Sequence, residues 1–173
     1  MFRIESVNEN NFKDIPGMCK YCLYWQTSGE FSEDMAKPEM EQHKREWMSR
    51  IVKRFGSCMK IAYLNTAPIG YVQYAPAKFL PQSKVYVSGP PSEDAVLIAC
   101  LYVANNGLRG KGFGTAMLKD LLAEFKKKGW KAVETFARKN SENNPSGPLK
   151  LYLKQGFTIK REANDFPLLR LEL

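Results

Sequence analysis

Nine residues without a charge, Ala95–Val103, run straight into a loop with glycine at 107, 110, 112 and 114. An uninterrupted apolar run of this length reads as a central strand covered on both faces. A helix is predicted next, over Gly112–Lys128. Met117, Leu118, Leu121, Leu122 and Phe125 share one face of it. Lys126, Lys127 and Lys128 complement the negative end of its dipole, and Gly129 stops it. Strand, glycine loop and helix in direct succession call for a layered fold of helices on a sheet.

The flanking pattern supplies the rest of the sheet. Phe2–Val7, Met59–Leu64, Ile69–Ala75, Lys131–Ala137, Phe157–Arg161 and Leu168–Leu173 read as further strands. Asn65–Pro68 joins the second and third as a hairpin. Helices are predicted over Asn11–Leu23, bent near Pro16, over Glu41–Phe55, and from Pro148 to Gln155 before Gly156. Gln26–Lys37 reads as a polar loop. Pro76–Glu93, with four prolines, is long enough to imply a functional or disordered segment. The chain of 173 residues is read as one domain, 1–173, of α/β (α+β) class, with about four helices.

Charge is uneven. Residues 1–95 hold 12 Lys/Arg against 11 Asp/Glu, and residues 96–173 hold 14 against 7. A basic half suggests an anionic partner, whereas solubility alone is the plainer reading. Neither an 18-residue apolar run nor the apolar core of a signal peptide is seen, so an intracellular, cytoplasmic protein without a membrane partner is expected. Cys19 and Cys22 form a C-x-x-C pair with no second pair among Cys58 and Cys100, and His43 adds no ligand geometry. Inert buried thiols are favoured over metal or redox chemistry, and no metal site is assigned.

The glycine loop carries the sharpest chemistry. Unpaired N–H groups at a helix start form an anion site, and absent side chains let a phosphate approach. Arg109 and Lys111 add charge there. A P-loop would need a Gly-Lys-Ser/Thr ending, which is absent. A dinucleotide loop would use Gly110 and Gly112, but Thr115 stands in the third place, and Arg109 comes six positions after Val103, too far for that tight turn. Glu134 lies near the offset of a ribose-binding acid and keeps that reading open.

Arg109-x-x-Gly112-x-Gly114 resembles the pyrophosphate loop of the GNAT superfamily of N-acyltransferases. Pro148-Leu149-Lys150-Leu151-Tyr152-Leu153-Lys154-Gln155-Gly156-Phe157 is similar to a second segment of that family, and Asn144 lies just ahead of it. The resemblance covers about 95–157 and extends to the order of elements elsewhere. It implies a mixed, mostly antiparallel sheet of six to seven strands in which the strands near 95–103 and 131–137 run parallel and splay apart. It further implies acetyl-CoA as cosubstrate and an amine as acceptor. Pantetheine would meet Leu101, Tyr102 and Val103, with the Val103 N–H polarising the thioester carbonyl. The phosphates would rest on the N–H groups of Arg109, Gly110, Lys111, Gly112, Phe113, Gly114 and Thr115. Asn144 and Tyr152 would complete the cofactor contacts.

A neutral primary amine would then attack directly, and Tyr152 would protonate the departing thiolate. The competing reading of Tyr152 is a core tyrosine beside Leu149 and Leu153. The general base stays open among Glu93, Asp94, Glu134 or none. Acids at Glu30, Glu33, Asp34, Glu39, Glu41 and Glu46 form either an acceptor lip or a solvated surface. Trp25, Tyr71, Tyr74 and Tyr86 line a pocket or fill core. A homodimer is compatible with the resemblance. The rival readings are a basic nucleic-acid-binding module, disfavoured because no recognised motif accompanies the lysines, and a noncatalytic acyl-CoA-binding domain.

Overall fold

The computed structural model describes residues 1–27, 35–140 and 146–173. Among them, seven strands form one sheet in the order β1-β2-β3-β4-β5-β7-β6. The strands are β1 (Phe2–Ser6), β2 (Met59–Leu64), β3 (Ala67–Pro76), β4 (Ala95–Val103), β5 (Ala132–Phe136), β6 (Thr158–Arg161) and β7 (Leu168–Glu172). Every neighbouring pair is antiparallel except β4 and β5, which run parallel. The mixed sheet that the resemblance implied is therefore present, with β4 at its middle and Ala95–Leu101 buried throughout.

Three α-helices, not four, occur among the described residues: α1 (Lys37–Arg54), α2 (Phe113–Lys127) and α3 (Leu149–Lys154). The helix expected over Asn11–Leu23 is two 3-10 turns, Phe12–Asp14 and Gly17–Lys20. Pro16 is the reason, since it lacks an N–H and drives Ile15 to an extended backbone, ψ 120°. Helix α1 begins four residues earlier than expected, because Pro38 suits a first turn and Glu39 faces the positive end of the dipole.

One face of the sheet packs on α1 through Trp47, Met48 and Ile51. The other packs on α2 through Met117, Leu118, Leu121 and Phe125. Tyr71 and Tyr74 are core. Trp25 and Tyr86 stack with Phe136, the Tyr86 and Phe136 rings 4.2 Å apart. The long segment after β3 is ordered: Leu80, Ser83 and Ser88 are buried, and the Trp47 indole donates to the Phe79 carbonyl at 3.0 Å. Cys58 and Cys100 are buried, with thiols pushed up to about 12 by burial. Cys19 and Cys22 are only partly buried, contrary to expectation, because the turns that carry them lie at the surface. His43 is exposed on α1 beside Glu46.

Candidate active site

The parallel pair separates. Its register runs from Ala95 and Ala132 to Ile98 and Thr135 and stops there, while β4 continues to Val103. The Thr135 hydroxyl donates to the Ile98 carbonyl at 2.9 Å, marking the fork. On its other side β4 stays paired with β3, but Gln73 faces Cys100 while Tyr74 faces Ile98, leaving Ala99 as an extra residue. Such a bulge bends and twists its strand, here at the level of the fork.

The antiparallel ladder decides which backbone groups face the gap. The Ala104 N–H donates to the Ile69 carbonyl at 2.9 Å, across β3. Bonded positions alternate with positions facing away, so Tyr102 turns toward β3, and Leu101 and Val103 turn toward the gap. The Arg109 guanidinium reaches back from the loop, Nε donating to the Val103 carbonyl at 3.1 Å, and lies 5.4 Å over the Tyr102 ring. A cleft of about 450 Å³ opens here.

The floor of this cleft is the glycine loop. Residues 106–108 form a 3-10 turn capped by the Asn105 side chain, which accepts from the Gly107 N–H at 2.8 Å. The Arg109 N–H is committed to the Asn106 carbonyl at 3.2 Å, so it is not among the phosphate donors expected from the sequence. Gly112 caps α2 with φ +89°, a left-handed conformation that costs a side-chain-bearing residue about 1–2 kcal/mol. Among the described residues, no side chain caps this helix start. The N–H groups of its first turn therefore stay directed at the cleft, an anion site by geometry.

Of the residues expected to hold the cosubstrate, Leu101, Tyr102, Val103, Arg109, Gly110, Gly112, Gly114 and Thr115 line this one cleft. Lys111 and Phe113 do not line it, and the Phe113 ring packs against Phe2 at 5.3 Å. Asn144 lies outside the described residues. The opposite wall, Gly147, Pro148, Lys150, Leu151 and Lys154, was missed as a binding surface, although it falls within the second segment. The signal was there: Lys150 and Lys154 lie four apart, so both cations emerge on one face of α3.

Tyr152 is fully buried and does not line the cleft. Its hydroxyl donates to the Ser146 carbonyl at 2.6 Å, and its ring meets Phe157 edge-on. Burial pushes the phenol up, and the Thr135 hydroxyl offsets this only in part, so the group stays protonated at neutral pH. The hydroxyl is nonetheless close to the cleft wall. Gly147 lines the cleft, and a Cβ on it would stand 3.3 Å from the Tyr152 oxygen.

None of the carboxylates considered as a base is at the cleft. Glu134 is fully buried and held by the Ser92 N–H and hydroxyl, each at 2.8 Å, by Lys160 at 2.8 Å and by Arg170 at 3.0 Å. Burial alone would raise its carboxyl, but these partners outweigh burial and hold it below 4.5. Asp94 is clamped by Arg170 at 3.0 and 2.9 Å. It precedes β4, whereas Val103 ends it, and nine residues of strand span about 30 Å. Glu93 shares that distant end. Of the acids before β2, Glu41 pairs with Arg45 at 2.7 Å and Glu46 with His43, as surface charges do. Glu30, Glu33 and Asp34 lie outside the described residues.

A sheet forked between parallel strands, with a glycine-rich helix start beneath the fork, is the arrangement that the sequence resemblance implied. The chain belongs to the acetyltransferase (GNAT) family, whose model matches residues 21–157. Solved structures share its fold at low identity. The PaiA N-acetyltransferase of Thermoplasma acidophilum, in complex with coenzyme A, aligns with a TM-score of 0.65 and 12% identity over 100% of this chain and 99% of that one. A ribosomal-protein-alanine N-acetyltransferase from Brucella melitensis aligns with 0.65 and 17%, over 99% of each chain. An aminoglycoside acetyltransferase, AAC(6')-Ib, in complex with coenzyme A, aligns with 0.63 and 16%, over 99% of this chain and 95% of that one. No curated protein matches by sequence.

Proposed function

We propose that this protein transfers the acetyl group of acetyl-CoA to a primary amine by direct attack. The observation that carries this reading is the fork after Ile98 and Thr135, which opens onto the glycine-rich start of α2. A strand edge with Leu101 and Val103 turned into the gap suits an extended pantetheine arm. An N–H at Val103 suits a developing oxyanion, where a single donor contributes about 3–4 kcal/mol. The N–H groups following Gly110 suit a pyrophosphate. Holding amine and thioester together supplies much of the acceleration. In this reading Tyr152, protonated and one glycine away from the cleft, gives its proton to the leaving thiolate, and Asn144 completes the cosubstrate contacts. With no described carboxylate at the cleft, the amine enters neutral or loses its proton through water.

The whole chain, 1–173, acts in this reading as a single cytoplasmic domain, alone or as a homodimer. Among the described residues no helix is long and apolar enough to cross a membrane. One observation favours a second reading, a noncatalytic acyl-CoA-binding domain: Tyr152 is buried and already donates to Ser146. Turnover separates the two. A panel of small amines and peptide amino termini is incubated with acetyl-CoA, and free thiol is followed. Thiol release that requires both protein and one class of amine supports the enzyme. Tight acetyl-CoA binding with no release across the panel supports the binding domain.

A further inference from the structure

Lys150 and Lys154 stand one turn apart on α3, both exposed and both lining the cleft. Among the described residues neither side chain has an ion pair or hydrogen bond, whereas Lys60, Lys128, Lys139 and Lys160 are each paired with a carboxylate. Among the described residues, the cleft wall holds no Asp or Glu. Two cations with no described carboxylate partner thus face a cavity whose floor is the glycine-rich start of α2.

The order of groups along the cleft gives these lysines a specific task. The deep end is the strand edge at Leu101 and Val103. The glycine loop comes next, and Leu151 of α3 packs toward it: a Cβ on Gly114 would meet Leu101 at 3.5 Å and Leu151 at 3.8 Å. Lys150 and Lys154 flank Leu151 at the exposed mouth. A coenzyme A with its thioester at the strand edge and its pyrophosphate on the loop directs its remaining anionic group, the 3'-phosphate of the ribose, to that mouth. On the loop, the pyrophosphate would be satisfied by the backbone N–H groups at the start of α2. A phosphate monoester carries close to two charges at neutral pH and is suited to point cations such as lysine.

We infer that Lys150 and Lys154 form a 3'-phosphate subsite that makes the protein select coenzyme A over its dephospho form. The inference rests on the acyl-CoA reading of the cleft.

The test titrates the full chain with coenzyme A and with dephospho-coenzyme A by calorimetry at low and moderate salt. It is repeated with the double variant Lys150→Ala/Lys154→Ala and with Lys126→Ala/Lys127→Ala, which removes the same charge at the far end of α2. Wild type is expected to prefer coenzyme A on the order of tenfold or more, as charge-assisted bonds to one phosphate allow. That preference should weaken with salt. The α3 double variant should lose affinity for coenzyme A only, so the preference disappears, and the α2 variant should keep it. Equal wild-type affinity for both ligands overturns the subsite while leaving the acyl-CoA reading intact. Equal weakening of both ligands by the α3 variant, or loss of the preference in the α2 variant, also overturns it. Binding of neither ligand to wild type overturns subsite and acyl-CoA reading together.

Discussion

Glu134 occupies the position at which a carboxylate was a candidate base or ribose ligand, yet its oxygens are committed to Ser92, Lys160 and Arg170. Its role is to tie β5 to the segment before β4 and to β6 and β7. Glu134→Gln should therefore cost stability, about 1–3 kcal/mol at neutral pH, with little effect on the rate per folded molecule. The partners depress the folded carboxyl below its ordinary 4.5, so its contribution is complete above 4.5 and is lost as pH falls through the lower folded value. Urea melts of both proteins from pH 7 to pH 3 should show the gap between them closing at the acid end; a constant gap contradicts the account. Tyr152 is the complementary case. Tyr152→Phe keeps the ring against Phe157 and removes one hydroxyl. If that hydroxyl protonates the thiolate, kcat should fall by on the order of 10²–10⁴ while coenzyme A affinity stays within a few-fold. An unchanged single-turnover rate would leave Tyr152 as core packing. The sequence singled out Tyr152 and left a core role and a catalytic role both open, because the same Leu-Tyr-x-x spacing serves a core helix and a catalytic one.

The glycine loop and α2 work as one element. Gly112 and Gly114 both line the cleft but test different properties. Gly112 is needed for its positive φ, so any substitution there mixes backbone strain with lost binding. Gly114 lies inside α2, and a Cβ there meets its neighbours at ordinary contact distances. Gly114→Glu should leave the helix in place and set a carboxylate beside the bound phosphates. Like-charge juxtaposition costs several kcal/mol, so coenzyme A affinity should drop by at least about a hundredfold. Circular dichroism checks the fold and calorimetry the affinity; a folded variant with unchanged affinity would place the phosphates elsewhere. Strand β4 and helix α2 were legible because their patterns are long and periodic. The segment 11–23 was misread because the apolar spacing of Phe12, Ile15 and Leu23 imitates a helix, while Pro16 and Gly17, with φ +55°, forbid one. The α3 wall of the cleft was half legible: its motif was seen, but Lys150 and Lys154 within it were given no role of their own.

At the scale of the molecule, the basic bias of residues 96–173 now has a partial explanation. Arg109, Lys150 and Lys154 converge on one cleft with no described Asp or Glu in its wall, while Lys126 and Lys127 end α2. Alternating and uninterrupted apolar runs made the seven strands readable, and the resemblance carried by the glycine loop and the Tyr152 segment implied the fork. The acceptor side was not readable: Trp25 and Tyr86, left between pocket and core, lie in irregular segments where no period ties sequence to position, and they stack with Phe136. Acetyl-CoA at a hundredfold excess over Kd should raise Tm by roughly 5–10 °C, and NAD at the same concentration should leave it unchanged. A shift with NAD alone would revive the dinucleotide reading. The central claim, direct transfer from a cleft-bound thioester, is tested by single turnover with protein in excess over acetyl-CoA. Free thiol and acetylated amine are measured in the same samples before and after an acceptor amine is added. The account predicts that thiol appears only after the amine and in equal amount with the acetylated product. Thiol released earlier with the acetyl group left on the protein, or acetyl-CoA bound and returned intact with every amine, would contradict it.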